Sequence, residues 1–486
     1  MSTTDDPRAL AERVLALRPS DVEAALHRPA PATGSSDLLA TGVGVSPGTA
    51  TGRVALSVDA VLDAVERDEP VVLVTTTTSP ADDLGLRSAS AVITASGGWT
   101  SHAAIITRAA GVPAVSGVTG AVIGTDRVEF GSIRVRAGEW VTVDGGTGQV
   151  RRSAAGPSKS PPRTDDWTAM EAVLSAADRL VGGRPSVTAN ADTPDDVRTA
   201  AELGAVGIGL ARTEHMFGGE VDVLWRMLTA TPGRTGYADA AEAFDTVQRR
   251  AFGSLLAAAA ESFGAAPVTM RLLDAPAEEF GLVGTPRGVR LAAARPDVYR
   301  AQLSALSEAI GDRHRVEDDP AVRLLVPMVT DGSEVAHVSE LVHEYPNLHS
   351  APVGAMVETP AAALTTDDLV RHVAHISYGT NDLTQFTLGL DRDRGHAADV
   401  VPGERGGLVI DPFRSLHRSV VDLIRASSAA AHGVERSMCG ELASSPEGMD
   451  LAVELGLEAI SCAPFSVPLV RLGLGQRAAR AVLGVC

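Results

Sequence analysis

Lysine is almost missing from this chain of 486 residues, and the one present, Lys159, lies in a stretch rich in proline and serine. Chemistry that needs a lysine in a folded site is thereby excluded, which removes Schiff-base aldolases, pyridoxal enzymes and Walker-type nucleotide loops. Cysteine is scarce too. Cys439, Cys462 and Cys486 have neither metal-type spacing nor the pattern of a disulfide framework. Positive charge is outweighed, with 42 Lys and Arg against 61 Asp and Glu and a net charge of −19. That balance argues against nucleic acid and anionic membranes as partners. No apolar run reaches the length of a transmembrane helix, and the opening MSTTDDPRALAERV lacks the basic and apolar regions of a signal peptide. Cytoplasm is the expected location.

The length allows two or three domains with proper cores. Residues 1–38 read as a helical segment and a linker, with Leu10, Val14 and Leu17 at helical spacing. Residues 39–152 hold short β-rich segments (GRVALSV, PVVLVT, SAVITA, WVTVDGG) interrupted by a helix after His102, as expected of a compact α/β or β-rich domain. Residues 153–186 read as a second linker and a helix near Trp167–Leu180. In 187–486 short buried strands alternate with helices. Eight strand candidates (SVTAN, AVGIGL, PVTMRLL, RLLVPMV, PVGAMVE, HISYG, ERSMC, EAISCA) predict a (β/α)₈ barrel in preference to a doubly wound open sheet.

Catalytic side chains of such a barrel belong at the C-terminal ends of its strands. Arg212, Glu358, Asn381, Asp382 and Glu441 follow or end a strand candidate, and Arg271 and Cys462 lie within one. Each alone could be a solvated loop residue or a buried ion-pair partner; together they form a pattern. Glu358 and Asp382 can hold Mg²⁺ and leave its other positions to water and substrate oxygens. The two arginines offer planar, permanent charge to a phosphate and a carboxylate. Cys462, with no metal-type partner, suits an acid better than a ligand. Such a set fits a small, doubly anionic molecule that reacts through an enolate. Outside the barrel, GGWTSHAAIITRAAG places His102 at a glycine-led helix start, capped by Thr100 or Ser101. A histidine there is either ordinary first-turn filling or a phosphate carrier held by free N–H groups and the helix dipole.

The segments GGWTSHAAIITR, GIGLARTEHMF, TMRLLD, MVETPAAAL, SYGTNDLTQFTLGLDRD and ISCAPFSVPLVRL resemble the phosphoenolpyruvate-utilising enzymes, and among them the pyruvate phosphate dikinases. GVGVSPGTATGRV and VTVDGGTGQV resemble the borders of that family's swivelling phosphohistidine domain. The resemblance implies an α/β architecture in which a small swivelling β/β/α domain precedes a (β/α)₈ TIM barrel. It implies that His102 carries the phosphoryl group, that Glu358 and Asp382 are Mg²⁺ ligands, and that Cys462 is the general acid. Arg212, Arg271 and the run Gly379, Thr380, Asn381 and Asp382 then form the phosphoenolpyruvate/pyruvate pocket. Dimerisation through the barrel is a further implication.

Departures from the family shape the expectation. The dikinases' ATP-grasp module is not seen, nor is the helical insertion of the phosphotransferase-system enzyme I, while CGEL resembles the enzyme I pattern. The expected activity is therefore phosphoryl exchange between phosphoenolpyruvate and His102, with a separate ATP-grasp partner for the other half-reaction. An enzyme-I-like donor to an acceptor protein and a non-catalytic phosphoenolpyruvate sensor are the alternatives.

Overall fold

The computed structural model describes residues 6–26, 38–67, 69–153, 165–275, 286–313, 320–390, 401–402, 408–409 and 415–485. Packing divides the chain into two compact units. One holds the residues up to Gly183 together with those from Pro468; the other holds 184–390 and 401–467. Among the described residues no helix is long and apolar enough to cross a membrane.

The first unit opens with helices α1 (Pro7–Ala16) and α2 (Pro19–Leu26). The two helices, as expected for a second short helix near Val22–Leu26, are separated at Leu17 and Arg18, where Asp21 accepts from the Arg18 backbone and guanidinium. Next come β1 (Leu38–Thr41), β2 (Val43–Ser46), β3 (Thr49–Ala55), α3 (Val58–Glu66), β4 (Val71–Thr75), α4 (Asp83–Ser88), β5 (Ala91–Thr94), α5 (His102–Ala110) and β6 (Ala114–Ser116). Strands β7 (Ala121–Ile123), β8 (Arg127–Phe130) and β9 (Ile133–Arg136) make a small antiparallel sheet, and β10 (Trp140–Asp144) and β11 (Gln149–Arg152) return to the large one. The large sheet has eight strands in the order β1-β11-β10-β3-β4-β5-β6-β2, parallel from β3 to β6.

Both faces of that sheet are covered, which is why β4 reads VVLV without polar alternation. Val72, Val74, Ile93 and Val143 pack toward Val128, Phe130 and Val135 of the small sheet. Val71, Leu73 and Val92 pack toward Val61, Leu86 and Ile106 of the helices. The result is a β/β/α stack. Elsewhere in this unit α1 packs with α6 (Asp165–Val181) and the C-terminal helix Val467–Leu483 through Leu10, Val14, Leu174 and Leu472.

The second unit is a closed parallel barrel of eight strands. They are β12 (Ser186–Asn190), β13 (Ile208–Arg212), β14 (Val268–Arg271), β15 (Val322–Val326), β16 (Val353–Val357), β17 (His375–Gly379), β20 (Glu435–Cys439) and β21 (Ala459–Cys462). A two-stranded pair, β18 (Val401–Pro402) and β19 (Leu408–Val409), lies between the sixth and seventh barrel strands in sequence. Each of the eight segments read as a strand from sequence is one. Leu210, Leu325, Met356 and Cys439 cluster together in the core.

Candidate active site

In the first unit His102 is the first residue of α5, and Ser101, not Thr100, is the cap: its Oγ accepts from Ala104 N–H at 3.4 Å. His102 Nε2 lies 2.6 Å from Asp83 Oδ1, with both side chains 6% exposed. Asp83 opens α4, so the contact joins two helix starts on the same face of the sheet. Arg108, one turn and a half along α5, donates to the carbonyls of Val45 (2.7 Å) and Trp99 (2.6 Å) and stacks on the Trp99 ring. It thereby ties the segment before His102 to β2. Sequence reasoning assigned neither Asp83 nor Arg108.

In the barrel the expected residues stand at one end. Arg212, Arg271, Gly379 and Cys462 are the last residues of β13, β14, β17 and β21. Glu358 follows β16, Glu441 comes two residues after β20, and Thr380, Asn381 and Asp382 form the first turn of helix Thr380–Leu388. Around them is a set of ionic partners. Arg271 is paired with Glu214 and lies 3.8 Å from Asp274 Oδ2. Arg287 grips Asp274 with two bonds of 2.8 and 2.6 Å and lies 3.5 Å from Asp382 Oδ1. Burial alone would lower the pKa of Arg271, but the charges of Glu214, Asp274, Glu358 and Asp382 raise it. The same opposition, led by Asp274 and Asp382, keeps Arg287 charged.

Glu358 is 1% exposed and its Oε1 accepts from Met328 N–H at 2.7 Å. Met328 holds a positive φ of 61°, a conformation that costs a side-chain-bearing residue about 1–3 kcal/mol and concentrates at functional sites. Gly288, next to Arg287, permits this approach: a Cβ there would fall 2.6 Å from Met328 Cβ. Gly379 serves Glu358 similarly, since a Cβ would come within 2.9 Å of Glu358 Oε2. The Glu358 carboxyl is pushed up from its ordinary pKa by burial and then by the charge of Asp382.

Two crowded carboxylates of this kind fit a hard divalent cation that relieves their repulsion. Among the described residues no group of three or more metal-ligating side chains is present.

Thr380 Oγ1 donates to Cys439 O at 3.2 Å, and Asn381 Oδ1 accepts from Glu441 N–H at 3.1 Å. These bonds fasten the start of helix Thr380–Leu388, which follows β17, to the end of β20 and the loop after it. The two described thiols differ. Cys462 is 1% exposed, its Sγ lies 3.9 Å from Thr188 O, and burial followed by the charge of Glu441 pushes its pKa up. Cys439 is pushed up to about 11, first by burial, and it feels Glu358, Arg271 and Arg212 as well. The thiol within electrostatic reach of the central carboxylate is therefore Cys439, while the expected acid, Cys462, answers to Glu441. Among the residues that sequence reasoning left without a role are Asp192, Glu214, His215, Asp274 and Arg287. Asp192, Glu214, His215 and Asp274 lie within three residues after a strand, whereas Arg287 lies just before helix Val289–Ala294.

The chain matches the family model described as PEP-utilising enzyme, PEP-binding domain, over residues 175–479, and the model for the mobile domain of the same enzymes over residues 67–148. It belongs to the PEP-utilising enzyme family. Among curated relatives it is 31% identical to the pyruvate, phosphate dikinase of Rhizobium meliloti over 96% of this chain and 56% of the relative. It is also 31% identical to the chloroplastic pyruvate, phosphate dikinase 1 of Arabidopsis thaliana, over 90% of this chain and 50% of the relative. The chain spans about half the length of the curated relatives it matches.

Proposed function

We propose that this protein is a phosphotransferase that interconverts phosphoenolpyruvate and pyruvate through a phosphohistidine at His102. The observation that carries the reading is the barrel rim, where Arg271, Arg287, Glu358 and Asp382 converge with Arg271 and Arg287 held charged by surrounding carboxylates. In this reading Arg212 and Arg271 hold the substrate anion, and Gly379 to Asp382 shape its pocket. Glu358 and Asp382 hold Mg²⁺, which when bound supplies positive charge against the phosphate and the developing enolate.

An imidazole nitrogen of His102 attacks phosphorus, the bridging P–O bond breaks, and its electrons go to the enolate oxygen. The Cys462 thiol, kept protonated by burial, then gives its proton to the enolate carbon and pyruvate forms. The histidine domain, 39–152, brings His102 to the barrel, 187–486, and away again. A second station, an ATP-grasp-type site, is proposed to exchange the phosphoryl group with His102.

The test is incubation with labelled phosphoenolpyruvate and Mg²⁺. The protein is expected to gain one acid-labile, base-stable phosphoryl group, and His102→Ala to gain none. Labelling of His102→Ala at wild-type stoichiometry would overturn the assignment.

A further inference from the structure

Asp192, two residues after β12, stands at the rim beside one of the substrate arginines. Its side chain is 1% exposed and both its oxygens are engaged. Oδ1 accepts the backbone N–H of Arg212 at 2.7 Å; Oδ2 accepts Arg212 Nε–H at 3.0 Å and lies 2.7 Å from Arg212 Nη2. His215 Nδ1 lies 3.0 Å from the same Oδ2. Burial would raise the pKa of this carboxyl, but the charge of Arg212 and the bond from His215 hold it well below the usual carboxylate range.

The loop that presents Asp192 is itself fixed. Asp196 Oδ2 accepts the backbone N–H groups of Asp192 (3.2 Å) and Thr193 (3.1 Å). Thr193 Oγ1 in turn accepts Asp196 N–H at 3.2 Å, a capping box that opens helix Pro194–Glu202. One carboxylate on a rigid turn therefore grips both the backbone and the guanidinium of Arg212. It occupies the Nε and Nη2 edge of the fork, which turns the Nη1 edge toward whatever the arginine binds.

We infer that Asp192 is the positioning residue that aims the Arg212 guanidinium at the anionic substrate. The inference rests on the assignment of Arg212 to phosphoenolpyruvate under Proposed function. Asparagine keeps the shape of Asp192 but replaces one accepting oxygen by an NH₂ that cannot receive a guanidinium N–H. The guanidinium then loses its fixed plane.

The experiment titrates phosphoenolpyruvate, with Mg²⁺, into the full chain by calorimetry and follows thermal unfolding of the same samples. Asp192→Asn is expected to weaken Kd by roughly 10- to 100-fold, the scale of an ångström-sized misplacement of a binding group. Arg212→Lys keeps a charge without the fork, and adding Asp192→Asn to it is expected to cost no more than about twofold further, because the aspartate acts through the arginine. A Kd for Asp192→Asn within twofold of wild type, or full additivity of the two replacements, overturns the inference and leaves Asp192 a structural ion pair. Should Asp192→Asn show no unfolding transition, Asp192→Glu takes its place: it keeps the charge, shifts its position by one methylene and is expected to weaken Kd in the same direction, with an unchanged Kd overturning the inference. Failure of the wild-type chain to bind phosphoenolpyruvate sinks the assignment of the substrate itself, a result distinct from normal wild-type binding with an unaltered variant.

Discussion

The barrel rim and the His102 site handle charge in opposite ways. At the rim, Arg271 and Arg287 both lie on Asp274, and Arg212 and His215 both lie on Asp192. At His102 the contact is one imidazole against Asp83, at the starts of two short helices. The contrast follows from solvation. A guanidinium is charged at any accessible pH, so burying it demands compensating carboxylates. An imidazole can be buried in either charge state and needs less bracing. The rim is thus a network of shared carboxylates, while at His102 an imidazole faces the carboxylate of Asp83.

The largest effect is expected at the rim. Replacing Glu358 by Gln leaves Arg271 its partners Glu214 and Asp274, so folding persists while phosphoryl uptake falls by about 10²- to 10³-fold. Initial labelling rates at saturating phosphoenolpyruvate, beside melting curves, measure this; a rate within fivefold of wild type moves the metal elsewhere. The thiols give the next test. Exchange of pyruvate methyl protons with solvent is expected to drop by roughly 10²-fold or more in Cys462→Ala and to stay within severalfold in Cys439→Ala. The reverse result transfers the acid role to Cys439, the thiol that feels Glu358.

Asp83→Asn sharpens the comparison from the other side. Labelling is expected to slow by about 10-fold through loss of ring orientation, with calorimetric affinity for phosphoenolpyruvate unchanged; a loss of affinity instead would erase the distinction between the two sites. The smallest effect at neutral pH concerns His375. It is 3% exposed in β17, its ring packed where a Gly354 Cβ would otherwise stand. Burial, aided by Arg323, lowers its pKa from 6.5 to about 3. The unfolded chain therefore binds this proton first, so the stability from a neutral His375 is full above pH 6.5 and is lost as pH falls toward 3. The slope reaches at most about 1.4 kcal/mol per pH unit. Urea midpoints between pH 7 and 5 are expected to fall less steeply for His375→Met than for wild type; parallel slopes would show that His375 does not govern them.

Much of the architecture was legible because it depends on local pattern. VVLV in β4 and GAMV in β16 are apolar on both sides, as buried parallel strands must be. The barrel's C-terminal rim followed from reading polar residues off strand ends, so Arg212, Arg271, Glu358 and Asp382 were found. Glu214 and Asp274 follow the same strands as Arg212 and Arg271, and Asp192 follows β12, yet none of the three stands out in the sequence. An acidic residue after a strand is common, and only its partner shows whether it is solvated or holds an arginine. Asp83 lies nineteen positions from His102, with nothing in their spacing to join them.

By itself the sequence determined the strand and helix periods, the glycine-led helix start at His102, the exclusion of lysine chemistry and the side-chain types available at the rim. These are properties of single segments, set by backbone geometry and by which side chains tolerate burial. Tertiary structure alone decided the pairings: Asp192 with Arg212, Asp274 with Arg287, and Asp83 with His102. The physical reason is that the energy of a buried charge depends on what lies within a few ångströms of it. Packing within each unit brings residues of different segments to that distance.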